Sequence, residues 1–273
     1  MKNNFYPKTI IQAFGLLVIS ILITTPFIFL QKKIASQESF FNIFFIFFSI
    51  VVILISYFIN RKRGLKLENN IKINNNKLIP LMVLIILLFQ IGLSKPIFHL
   101  INNFNGEITS LTNPISSLMF FIGAIFLSPI LEEIIFRGII LKGFLTNYSP
   151  KKAIFFSAII FGLVHGEPSQ IINAIVIGLF FGWIYYKTKS LGITIILHFI
   201  ANSSVFILSL IYYKYSDFNT ITTVSIYSIP LSIILISLIF RTLIKKIKNS
   251  KREHTRHFET ELVENSKTSE LPN

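Results

Sequence analysis

Three clusters of polar residues interrupt apolar stretches of this chain, and their types are those of acid–base chemistry. Leu131-Glu132-Glu133-Ile134-Ile135-Phe136-Arg137-Gly138 carries two adjacent carboxylates and a guanidinium. Phe161-Gly162-Leu163-Val164-His165 ends on an imidazole, and His198-Phe199-Ile200-Ala201-Asn202 sets an imidazole four residues before an amide. Ionisable groups within an apolar span are costly, so each calls for a partner or a task. On a helix, adjacent residues point about 100° apart while residues four apart share a face. Glu133 therefore faces Arg137, acid before base in the favourable order, and forms a buried ion pair with it. Glu132 is left unpaired and aimed elsewhere, as suits a general base. His198 and Asn202 share a face, so the amide can orient the imidazole or donate a hydrogen bond beside it.

A carboxylate, two imidazoles and an amide in a partly dry cavity can activate water and stabilise the oxyanion of an acyl-transfer intermediate. Peptide hydrolysis fits that equipment. Other intramembrane routes lack their residues: the chain has no cysteine, its only aspartate is Asp217, and it contains neither a Gly-x-Ser-x-Gly turn nor a His-Glu-x-x-His helix. Two arrangements remain. Glu132 and a histidine can activate water directly, or His165, His198 and Glu132 can hold a catalytic zinc with an open position. The expectation is the metal-free form, because the carboxylate best placed to support a metal ligand, Glu133, is occupied by Arg137.

Membrane helices must position these groups. The 273 residues are 52% apolar and 14% charged, against about a quarter charged in soluble domains. Runs of roughly 20 apolar residues cross a bilayer, and eight candidates occur, near residues 10–30, 40–59, 78–93, 115–143, 153–166, 169–186, 191–213 and 223–240. The third, fifth and sixth are short or interrupted, so seven spans are the alternative. The first is too long in its apolar core for a cleaved signal peptide. With the N-terminus inside, 22 of the 26 Lys and Arg lie on the inner side, which places both termini in the cytoplasm. The net charge of +14 is then a topology signal and a contact with anionic lipid, not a nucleic-acid footprint. Counted from the inner basic residues, Glu132, His165 and His198 lie at similar depth, roughly 13 to 20 Å. Ser149 as N-cap and Pro150 at the first helical position make spans four and five a hairpin. Gly162 with Gly166, and Gly178 with Gly182, allow close backbone approach. His99, Phe161, Trp183, Tyr185 and Tyr186 read as interfacial or packing residues, and His254 and His257 as part of a solvated, disordered tail that turns polar from Lys245.

Glu-Glu-x-x-x-Arg, Phe-x-x-x-His and His-x-x-x-Asn, in that order on successive buried helices, resemble the CAAX protease and bacteriocin-processing family of intramembrane endopeptidases, also called the Abi family. The resemblance covers Pro114 to Ser203, and no motif position departs from the pattern. It implies that Glu132 and His165 activate the catalytic water, that His198 and Asn202 line the oxyanion site, and that Glu133 with Arg137 supports the architecture. Eukaryotic members trim prenylated C-terminal tails, while many bacterial members are associated with bacteriocin maturation, self-immunity or surface display. Heavy use of Ile, Asn and Lys resembles low-GC bacterial coding, which favours a peptide or membrane-protein substrate over a CAAX tail.

The expected fold is all-α: a polytopic bundle of about eight spans, with a conical or cavity-containing core formed by spans four to seven. Residues 1–113 supply N-terminal helices of unassigned role, 114–243 the protease-like core and last span, and 244–273 the polar tail. The expected function is a multi-pass membrane endopeptidase without a cofactor, zinc being the alternative. Two other functions compete: a non-catalytic bacteriocin immunity or scaffold protein, and a transporter using the buried groups as a proton relay.

Overall fold

The computed structural model describes residues 5–33, 37–66, 70–73, 76–97, 122–215 and 226–250. Among these residues every regular element is helical. Helices α1 (Ile10–Thr24), α2 (Gln37–Lys62) and α3 (Ile79–Phe89) are followed by α4, a composite over 123–144. After it come α5 (Pro150–Leu163), α6 (Pro168–Thr188), α7 (Leu191–Tyr215) and α8 over 226–250. Six of them, α1, α2, α3, α6, α7 and α8, carry stretches long and apolar enough to cross a bilayer. Their outward faces are apolar, with Ile11 84% and Leu22 65% exposed on α1, as expected where the surrounding solvent is lipid.

The sequence suggested eight such stretches, and the difference lies at α4 and α5. Part of the fourth run, 115–121, lies outside the described residues. The fifth forms a helix of only 14 residues, about 21 Å long, short of the roughly 30 Å of hydrocarbon. It ends in a turn at Gly166, whose φ of +74° favours glycine, which has no Cβ. Irregular backbone at membrane depth is tolerated where it lines a cavity, and this turn holds His165. At the other end of α5, Ser149 occupies the N-cap position without a side-chain hydrogen bond, and Pro150 opens the helix. The expected hairpin of α4 and α5 is present.

Two apolar cores join the helices. One gathers Leu16, Val52, Ile135, Ile139, Phe144 and Phe161 from α1, α2, α4 and α5. The other gathers Met82, Ile86, Phe181, Leu197, Leu243 and Ile247 from α3, α6, α7 and α8. Helix α6 contributes to both, with Ala174 in the first and Phe181 in the second. It lies tight on α5: a Cβ at Gly162 would sit 2.4 Å from Ile175, and one at Gly178 would sit 3.0 Å from Phe161. Gly182 is similarly close to Ile154. Gly166 has nothing near it, so it serves the turn and not the close approach expected from its spacing. The helical part of the polar tail reaches residue 250, with Ile247 buried in the second core, so order extends past Lys245. His99, His254 and His257 lie outside the described residues.

Candidate active site

Helix α4 is irregular where it carries the acidic pair. A π-helical turn, Gly123–Leu127, precedes α-helical Ser128–Glu133, and a second π-helical stretch, Ile134–Leu141, follows. Such insertions are frequent at functional sites. Pro129 accounts for part of the first. In the π register each N–H reaches the carbonyl five residues back, as Ser128 does to Gly123. The donor due to the Ala124 carbonyl would be position 129, a proline without an N–H. That carbonyl is instead taken by the Asn202 side chain, whose Nδ2 donates to it at 2.8 Å.

The two glutamates then meet different surroundings. Glu133 is fully buried, and its Oε1 accepts from Arg137 Nη1 at 2.6 Å and from His198 Nδ1 at 2.9 Å. Arg137 Nη2 donates to the Gly178 carbonyl at 3.3 Å, and the guanidinium lies 4.6 Å from the Phe161 ring centre and 5.4 Å from that of Phe181. Carbonyl, carboxylate and two aromatic faces together replace the water this cation has lost. Phe161 is thus a packing residue, as its type suggested, but one whose packing is against the site.

Glu132 faces the other way. Its Oε1 accepts from the Ser128 hydroxyl, four residues back. Its Oε2 is buried without a hydrogen-bond partner, 3.8 Å from His198 Nε2. His198 therefore stands between the two carboxylates, held by Glu133 and facing Glu132. The expected ion pair of Glu133 with Arg137 is present. The expectation that Arg137 would use up Glu133 is not met, and the imidazole is oriented by Glu133, with the Asn202 amide on Ala124.

His165, at the end of α5, donates from Nδ1 to the Phe161 carbonyl at 2.8 Å. A carbonyl can only accept, so Nε2 carries the lone pair. His165 and Glu132 both line a cavity of about 490 Å³. Its remaining wall is mostly apolar and comes from α1, α2 and α4 with Val164 at the end of α5, and includes Leu17, Ile21, Phe44, Phe45, Phe48 and Phe136. The cavity thus lies between α1, α2, α4 and α5, not among spans four to seven, and the two N-terminal helices acquire a place in the site. Their sequences carry no acid–base signature that could have announced it. Ser128 was also missed, though its spacing of four from Glu132 was a usable signal. Among the described residues no three His, Cys, Asp or Glu side chains converge as a group that could hold an ion.

An all-helical, multi-pass membrane protein with a buried Glu and His constellation beside an apolar cavity is the class these features define. Residues 114–204 match the family model described as type II CAAX prenyl endopeptidase Rce1-like. Over 93 residues the chain is 34% identical to "Putative membrane peptidase YdiL" of Bacillus subtilis (strain 168), covering 34% of this chain and 38% of that relative. No solved structure matches. The stretch matched by the family model is the one that bears the three motifs, and it is similar to these membrane peptidases over about a third of the chain.

Proposed function

We propose that the protein is an integral-membrane endopeptidase that cleaves a peptide bond of a peptide or membrane-protein substrate with water activated by Glu132 and His165. One observation carries this reading: Glu132 and His165 line one cavity, and Glu132 keeps one carboxylate oxygen without a hydrogen-bond partner. Water held between Glu132 and His165 gives its proton to the Glu132 carboxylate as its oxygen bonds to the scissile carbonyl carbon. The carbonyl becomes an oxyanion. When that anion collapses the C–N bond breaks, and the proton held by Glu132 passes to the departing amine. His198 and the second N–H of Asn202 line the oxyanion site, as the resemblance implies, and the amide is the donor to the developing charge. No step is routed through a metal.

Both termini face the cytoplasm in this reading, and the basic inner segments contact anionic lipid. The substrate belongs to bacteriocin maturation or self-immunity. Glu132→Gln and His165→Ala should each abolish cleavage while the protein still accumulates in the membrane; turnover retained in both would overturn the assignment.

A further inference from the structure

We propose that Ser128 and Asn202 are positioning residues for Glu132, a role that rests on the endopeptidase reading for its purpose but not for its test. Glu132 is among the residues that line the cavity, and a long side chain has several rotamers open to it unless something holds it. Its Oε1 is tied down by the Ser128 hydroxyl on the preceding turn, which leaves Oε2 as the oxygen without a hydrogen bond. Ser128 in turn follows directly on the π-helical turn that Asn202 clasps through Ala124. Pro129 makes that clasp necessary, because it withholds the backbone donor the Ala124 carbonyl would otherwise have. The series runs from α7 to the carboxylate: Asn202 holds Ala124, the held turn places Ser128, and Ser128 aims Glu132. Without these contacts the carboxylate can swing within the cavity and its reactive oxygen loses a defined place.

The test reads the placement of Glu132 directly. An apolar carbodiimide, dicyclohexylcarbodiimide, reacts with carboxyls it can reach in a membrane cavity. The rate at which it labels Glu132 in the full-length protein at one fixed pH, located by mass spectrometry, therefore rises when the carboxyl is no longer held by the Ser128 hydroxyl.

Ser128→Ala should raise the labelling rate by roughly threefold, and Ser128→Thr, which keeps the hydroxyl, should restore it. Asn202→Ala should raise it by less. Cleavage of a quenched-fluorescence peptide library by Ser128→Ala should show kcat lowered about tenfold at unchanged KM. A labelling rate unchanged in Ser128→Ala overturns the proposal. If that variant fails to accumulate, Ser128→Cys, a weak donor, takes its place with the same expected direction, and an unchanged rate there overturns it equally. A raised rate in a protein that cleaves nothing upholds the positioning of Glu132 and overturns the endopeptidase reading instead.

Discussion

The two flanks of α4 hold the same residue type one position apart and treat it in opposite ways. On the sealed flank Glu133 is matched by a guanidinium and an imidazole, behind the rings of Phe161 and Phe181. On the open flank Glu132 has one hydroxyl to hold it and a cavity in front of it. A rotation of about 100° between adjacent residues separates a carboxylate that locks helices together from one that lines the cavity. His198 touches both flanks, at 2.9 Å from Glu133 and 3.8 Å from Glu132. The sealed pair therefore also orients a ring that reaches the open flank.

The sharpest way to break this contrast is to unseal the sealed flank. Arg137→Ala leaves Glu133 a buried charge without its cation, and the protein should lose about 3 to 5 kcal/mol of stability. Denaturant titration in detergent micelles and the amount retained in membranes would measure it. Replacing both partners by Glu133→Gln with Arg137→Met should be much milder for the fold, since no charge is stranded. It still removes the carboxylate that orients His198, so cleavage should remain impaired.

Opening the other flank should separate the two currencies the opposite way. Glu132→Gln should lower kcat by roughly 10² to 10⁴ while the unfolding midpoint stays near that of the parent protein, as read by a cleavage assay and the same titration. Next in size is Gly178→Val. Its side chain would press on Phe161 and Ala158, at a cost of about 1 to 3 kcal/mol for overpacking, and would disturb the floor beneath Arg137. Smallest is Phe48→Ala, on the cavity wall. It should change relative cleavage rates among peptides with apolar side chains of different size by about tenfold, measured as a ratio of kcat/KM values, with little effect on accumulation.

Much of the sealed flank was legible in one dimension. Glu133 and Arg137 are four apart, so local helix geometry alone brings them together, and it does so even though the stretch after Glu133 is π-helical. Matching depth also anticipated the approach of His198 to Glu132, because both were counted from basic residues that mark one boundary. The open flank was far less legible. The bond of Asn202 to Ala124 bridges 78 positions, and its cause, a proline due as the π-register donor, becomes visible only once the register of α4 is known. The walls supplied by α1 and α2 are plain Leu, Ile and Phe, indistinguishable in the sequence from residues facing lipid. Gly166 shows the opposite failure: its spacing from Gly162 suggested packing, while the backbone uses it to turn.

By itself the sequence determined that this is a multi-pass helical membrane protein, that Glu133 and Arg137 pair, and that Glu132, His165 and His198 are the residues that need explaining. These follow from composition, from a period of 3.6 and from distance along a helix, all of which are local. Only the tertiary structure decided that Glu133 also grips His198, that Asn202 clasps α4, and that the cavity in front of Glu132 is closed by the first two helices. Each of those depends on which faces of separate helices meet. That choice is made by packing two apolar cores around α6, and no single segment encodes it.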